Sequence, residues 1–249
     1  MDALVTYALR LGDDSLVLGQ RLSEWCGHAP ALEIDLSLAN VALDQIGQAT
    51  HFLALAGALE SKGRDADQLA FRRDVMDFTN CLLVEQPNGD FAQTIARQFL
   101  FAQYQTLLFA EMARVKDERF AAIAAKALKE VSYHATLASD WVIRLGDGTE
   151  ESKARMIAGL DWMWRFADEL FLMDDVDVAA INAGAGVDKA ALTAAWDSRV
   201  DAVLVEARLE RPPARRAIVG GRSGRHSEHL GHMLSEMQFL QRAYPDAEW

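Results

Sequence analysis

Proline, cysteine, basic residues and long apolar runs are all scarce in this chain. Only 5 prolines occur in 249 residues, and two of them are the adjacent pair Pro212-Pro213, so long stretches carry no helix breaker. Runs of β-branched residues are almost absent, which disfavours strands. The 2 cysteines, Cys26 and Cys81, stand in apolar surroundings and read as buried, reduced thiols of a cytosolic protein rather than as a disulfide. No apolar run approaches the roughly 20 residues that a membrane helix needs, and Met1-Asp2-Ala3-Leu4 carries no basic leader, so a soluble, cytoplasmic protein is expected. Lys and Arg number 25 against 37 Asp and Glu, a formal charge of −12. Phosphate backbones repel such a chain, which argues against nucleic acid as a partner.

What is abundant is Ala, Leu, Glu, Arg and Gln, and 51% of the residues are hydrophobic, enough for one large core. Helical periodicity runs over about 2–25, where Leu4, Ala8, Leu11, Ser15, Leu18 and Leu22 share a stripe. A second helix is expected over about 31–61, with Leu36, Ala39, Leu43, Ile46, Leu53 and Ala56 turned inward. A short helix near 66–74 and an irregular segment lead to the turn at Asn88-Gly89, after which Asp90 is placed to cap a third helix over about 91–115. A fourth covers about 118–145, with Ile123, Ala127, Val131, Ala135 and Ala138 on its inner stripe. Further helices are expected near 151–172, 188–210 and 227–243. Two long helix pairs joined by a long crossover describe an all-α, ferritin-like four-helix bundle with additional C-terminal helices. One domain is expected over 1–249, its core bundle at about 2–145 and its helical extension at about 151–243.

Two segments of this pattern lie 86 residues apart, Asp44-Gln45-Ile46-Gly47-Gln48 and Glu130-Val131-Ser132-Tyr133-His134. In a carboxylate bundle each would read Glu-x-x-His, because i and i+3 share a helical face and a hard metal ion takes oxygen and imidazole donors. Here the carboxylates Asp44 and Glu130 are present, but Gly47 and Tyr133 stand at the histidine positions. His134 lies one residue on, about 40° round the helix from Glu130. The first helix offers Asp13 and Asp14 beside Gly12, whose presence suggests a loose helix, and the third has no carboxylate between Asp90 and Glu111. At most three of six ligands survive, so no metal is expected in this chain, and Asp44, Glu130 and His134 are expected to hydrogen-bond with Gln48, Gln98 or Gln103.

Other features admit chemistry. His226, His229 and His232 recur every three residues, a conceivable zinc face, although capping and surface packing account for them. Arg211, Arg215, Arg216, Arg222 and Arg225 concentrate positive charge in one segment, which suits the phosphates of an acyl-CoA, an acidic partner, or solvent. Trp162, Trp164 and Trp196 read as core or interface anchors.

The stretches Tyr7-x-Leu9-Arg10-Leu11-Gly12-Asp13, Leu22-x-Glu24-Trp25-Cys26-Gly27-His28-Ala29-Pro30, Leu83-Val84-Glu85-Gln86-Pro87-Asn88-Gly89 and His229-Leu230-Gly231 closely resemble the C subunits of bacterial phenylacetyl-CoA epoxidases, over essentially the whole chain. The resemblance implies a ferritin-like subunit without iron that braces the catalytic A subunit of a multicomponent monooxygenase. The di-iron centre that epoxidises phenylacetyl-CoA would sit in that A subunit. It further implies a small B subunit, and a reductase that draws electrons from NADPH. In that family the segment matching Asp77-Phe78-Thr79-Asn80, and another near Val178-Ala179-Ala180, mark where phenylacetyl-CoA would touch this subunit. Two rival readings differ in class. One is a free-standing ferritin-like oxidoreductase binding metal through Asp44, Glu130 and His134. The other is an acyl-CoA binding module built on the 211–225 arginines.

Overall fold

A computed structural model describes residues 2–245 and Ala247, and all regular structure among them is helical. The expected all-α class therefore holds, and none of the described helices is long and apolar enough to cross a membrane. By its internal contacts the chain forms two compact units, Met1–Gln86 with Gly220–Trp249, and Pro87–Val219. Residues of the expected C-terminal extension are thus shared between both units.

The first unit is built round α1 (Ala3–Ser23) and α2 (Leu32–Glu60). Asp2 caps α1 by accepting a hydrogen bond from the Leu4 amide at 2.9 Å. From Val5 to Leu18 every residue of α1 except Thr6 is buried, so polar side chains on it must find partners inside the protein. The pair is antiparallel, since Gly12 faces Leu53 and Gly19 faces Ile46. A Cβ on Gly12 would come within 2.7 Å of the Leu53 side chain, so this glycine serves close approach of α2, and the loose helix expected there does not occur. The crossover that follows contains α3 (Ala66–Phe71), started by an Asp65–Gln68 capping box, and the single turn α4 (Leu82–Glu85).

The inner face of α2 differs from the expected stripe. Leu38, Val41, Ala42, Ala49, Phe52, Leu53 and Ala56 are buried, whereas Leu36 and Leu43 are exposed on the opposite side. This helix has two apolar faces, and periodicity alone does not separate them. Cys81 is buried as expected, but Cys26 is exposed, because Trp25–Ala29 forms a surface turn after α1; the two do not form a disulfide.

The second unit is centred on α5 (Phe91–Met112), antiparallel to α6 (Glu118–Gly146). Asp90 caps α5 as expected, accepting from the Gln93 amide at 2.9 Å. Beside them pack α7 (Glu150–Trp164) and α9 (Thr193–Glu206), and the same unit contains α8 (Asp175–Asn182). The expected helix over 151–172 ends at Trp164 and continues as a 3₁₀ turn over Ala167–Phe171. Trp196 is buried and donates its indole N–H to the Leu100 carbonyl at 3.0 Å, with Trp164 and Phe171 against its ring; Trp162 lies at the surface. After Gly220 the chain re-enters the first unit as α10 (Glu228–Met237) and α11 (Phe239–Ala243).

α7 crosses α5 closely at Gly159, where an added Cβ would lie 2.9 Å from the Gln93 Cα. Backbone cannot yield there as a side-chain tip can. Gly159→Ala is expected to lose about 1–3 kcal/mol despite its better helix propensity, read as a lowered urea midpoint. An unchanged or raised midpoint would show that the two helices part readily.

Candidate functional site

The interior register of the two matching segments is one residue away from the one read in sequence. On α2 the inward pair is Gln45 and Gln48, both buried, while Gly47 is exposed and Asp44 half-buried. On α6 the inward pair is Val131 and His134, both fully buried, while Tyr133 is 50% exposed and Glu130 half-buried. The i, i+3 positions that would carry Glu-x-x-His thus read Gln-x-x-Gln and Val-x-x-His. Neutral amides and a valine offer no charge to neutralise a di- or trivalent ion. On α5 the buried polar residues include Arg97, whose Nη2 donates to Asn88 Oδ1 at 2.6 Å, and Gln98. A buried guanidinium adds positive charge where a dimetal centre needs the opposite. Among the described residues no three His, Cys, Asp or Glu side chains gather into a metal-binding group. Gln103 donates to the Ser139 hydroxyl at 3.0 Å.

The acids of α1 serve another purpose. Asp13 is fully buried and accepts hydrogen bonds from Arg73 Nη1 at 3.1 Å, from Arg73 Nη2, and from the Thr79 amide and hydroxyl at 2.9 and 3.1 Å. Asp14 accepts from the Cys81 amide at 2.7 Å and from both terminal nitrogens of Arg222, at 3.0 and 2.7 Å. Arg21 donates twice to the Glu85 carbonyl and once to the His229 carbonyl. These bonds tie the middle of α1 to the crossover and to the C-terminal segment.

The centre of the network is Glu85, a buried carboxylate at the end of the apolar turn Leu82-Leu83-Val84. It accepts from the Asn80 side-chain Nδ2 at 2.9 Å, the Ser227 backbone amide at 2.6 Å and His226 Nδ1 at 2.7 Å. The other ring nitrogen of His226 meets the Phe78 carbonyl at 2.8 Å. Both nitrogens therefore face acceptors. A neutral imidazole donates from only one of them, so the geometry calls for the imidazolium. Burial pushes the His226 pKa down, but the bonds to Glu85 and to the Phe78 carbonyl, with the charges of Glu85 and Asp13, outweigh it and leave it raised. The shared zinc face of His226, His229 and His232 does not form. Ser227 is the residue before α10, so His226 lies outside the helix, and His232 is exposed.

The residues read as substrate contacts fall in different units. Phe78 is buried with the Arg73 guanidinium 4.2 Å from its ring centre, Thr79 binds Asp13, and Asn80 binds Glu85. Asp77 is exposed and accepts from the Asp74 amide. Val178, Ala179 and Ala180 run along α8 from exposed to buried, Val178 being 49% and Ala180 0% exposed. In the arginine segment, Arg211 pairs with Asp197 and Asp201, Arg215 with Asp161, and Arg222 with Asp14. Most of that positive charge is already matched. A cavity of about 400 Å³ beside it is walled by Ile157, Leu160, Leu209 and Pro212.

Sequence reasoning named Arg222 and His226 in other roles, and missed Arg73 and the pairing of Glu85 with His226. The available signal was an acid closing an apolar turn, and adjacent acids in the middle of a helix rich in Leu, Val and Ala; the identity of their partners is a long-range matter.

Comparison with known proteins gives one consistent result. A family profile described as phenylacetic acid catabolic protein matches residues 1–249. The chain is 50% identical over 249 residues to the C subunit of the 1,2-phenylacetyl-CoA epoxidase of Escherichia coli (strain K12), and the match covers 100% of both chains.

Proposed function

Because this chain belongs to the phenylacetic acid catabolic protein family, with its ferritin-like, all-α fold, we propose that it is the non-catalytic C subunit of a 1,2-phenylacetyl-CoA epoxidase, bracing a di-iron catalytic subunit. The observation that carries this reading is the inward register of α2 and α6, where Gln45, Gln48 and Val131 stand in place of ligands beside His134. Long helices that carry the matching segments without their metal donors are suited to holding a neighbour in place. The proposed partners are the catalytic A subunit, the small B subunit and an NADPH-dependent reductase, in the cytoplasm. The reductase and the di-iron centre supply the redox chemistry; this chain supplies surface and rigidity. An obligate interface of this kind buries about 2,000–5,000 Å². Phenylacetyl-CoA contact at Asp77–Asn80 would be made through backbone and Asp77, since Phe78 and Asn80 are internally engaged. Val178 offers an exposed apolar contact on α8.

The test is co-expression of the catalytic subunit with and without this chain, followed by metal analysis of each. The catalytic subunit is expected to be soluble and active only in the pair, with iron confined to it. Stoichiometric iron or manganese on this chain would favour the rival metalloenzyme. A catalytic subunit that is soluble and fully active alone would remove the bracing role.

A further inference from the structure

The cavity beside the arginine segment belongs wholly to the second unit. It holds about 400 Å³, within the range of about 300–1,000 Å³ that small-molecule sites occupy. Leu160 and Leu209, 1% and 7% exposed, form its floor, and Ile157, Pro212 and Pro213 form its apolar walls. Part of the floor is set by a turn at the end of α9. Arg208 there takes a φ of 54°, a left-handed conformation that glycine adopts freely, and the Leu209 amide bonds back to the Leu204 carbonyl at 2.9 Å. The turn places Leu209 and Glu210 round the same cavity as Lys153, Ile157 and Leu160 of α7.

Six charged residues line the cavity, and the chain itself already answers four of them. Arg208 pairs with Asp147, Arg211 with Asp197 and Asp201, and Arg215 with Asp161. Lys153 and Glu210 are left over. Among the described residues neither side chain has an ion-pair or hydrogen-bond partner, and the two do not pair with each other.

One uncommitted cation and one uncommitted anion round an apolar floor select a ligand that carries both charges and an apolar group. A simple carboxylate would meet Glu210 as a like charge, and a simple amine would meet Lys153 in the same way. A nucleotide or an acyl-CoA brings several negative charges to a single free cation. The interior of a peptide brings neither charge.

We propose that this cavity binds a free α-amino acid with an apolar side chain. Lys153 takes its carboxylate, Glu210 takes its ammonium, and Ile157, Leu160, Leu209 and Pro212 take its side chain. Lys153 and Ile157 lie four residues apart on α7 and Leu160 three further on, so one helical face presents the charge and the apolar surface in a row.

The experiment is calorimetric titration of the full chain, in the assembly in which it purifies. L-leucine is expected to bind. Three analogues are each expected to bind about tenfold more weakly or worse: isocaproate, which lacks the ammonium; isoamylamine, which lacks the carboxylate; and L-serine, which lacks the apolar side chain. This comparison of ligands on the wild type needs no variant. Lys153→Gln and Glu210→Gln are each expected to weaken L-leucine binding about tenfold. Lys153→Gln should not weaken isoamylamine, which has no group for it to hold. Lys153 is half-buried and Glu210 exposed, so both variants should keep the wild-type helical signal and urea midpoint. Absence of heat with millimolar L-leucine would overturn the proposal. Equal binding of L-leucine and isocaproate would overturn it by removing Glu210 from the site, and so would wild-type affinity in both variants.

Discussion

Replacing Arg73 by alanine is expected to cost about 3–5 kcal/mol of stability at neutral pH, one of the two largest losses foreseen for a single substitution in this protein. The reason is geometric. Asp13 lies at 0% exposure in the middle of α1, and Arg73 meets it with two guanidinium nitrogens. The same guanidinium reaches the Leu69 and Asp77 carbonyls and lies over the Phe78 ring. Without it the carboxylate retains only the Thr79 amide and hydroxyl, and water cannot reach it to compensate. Removing both charges separates desolvation from packing. The double variant Asp13→Asn/Arg73→Met is expected to recover more than half of the loss, since a buried pair is worth far less than the penalty of leaving one member alone. Urea unfolding with an unchanged m-value reads both quantities. A loss below about 1 kcal/mol for Arg73→Ala would mean that the pair is solvated as a surface ion pair is.

Glu85→Ala is expected to be of similar size, about 3–5 kcal/mol, because three buried donors lose their acceptor together: Asn80 Nδ2, the Ser227 amide and His226 Nδ1. This pair also gives the protein a pH dependence whose sign follows from the direction of the shift. The folded-state pKa of His226 is raised above its ordinary value of 6.5. Its contribution is therefore fully present below about pH 6.5 and is lost as pH rises through the folded-state value. The charged groups around it are Glu85 from α4 and Asp13 from α1, both acids, so nothing in contact reverses the direction. The wild-type urea midpoint is expected to fall as pH rises above about 6.5, and His226→Gln is expected to remove that part of the slope. Equal slopes in the two proteins would assign the dependence to other groups and leave His226 neutral in the fold.

Both predictions concern one seam, in which α1 is fastened to the crossover at Arg73, Thr79, Cys81 and Glu85 and to the C-terminal segment at Arg222 and His226. The segment Leu83–Gly89, conspicuous in sequence, contains the acid at its centre. The segment Asp77–Asn80, read as a ligand contact, lines the same seam from the crossover side. That residues with such distinct local patterns serve a structural seam is in keeping with the bracing role proposed above.

Some of this was legible from residues alone. Asp90 announced the start of α5 because a carboxylate before an apolar periodic run satisfies free helical amides, a purely local effect. The loss of a carboxylate-x-x-His pattern was legible too, since neither register of either segment supplies it intact. The register itself was not. Asp44 and Gln45 differ by one step round the helix, and only the packed neighbours of α2 decide which of them turns inward. The short helix α8 went unread although Asp174 and Asp177 form a capping box there; eight residues are too few for a periodic signal.

Composition and helical period by themselves determined that this chain is all-α and where its long helices run, and the residues themselves show that neither matching segment reads Glu-x-x-His. These follow from preferences within one or two turns, where the backbone bond from i to i+4 and the cap residues act. Only the tertiary structure decided which apolar face of α2 is core and which is surface, that Gly12 is crowded while Gly47 is open, and which cation answers each buried acid. Asp13 meets Arg73 across 60 residues and Asp14 meets Arg222 across 208. A buried charge must be paired, and local sequence can state that requirement, but the pairing itself is made by the packing that brings distant segments within a few ångströms.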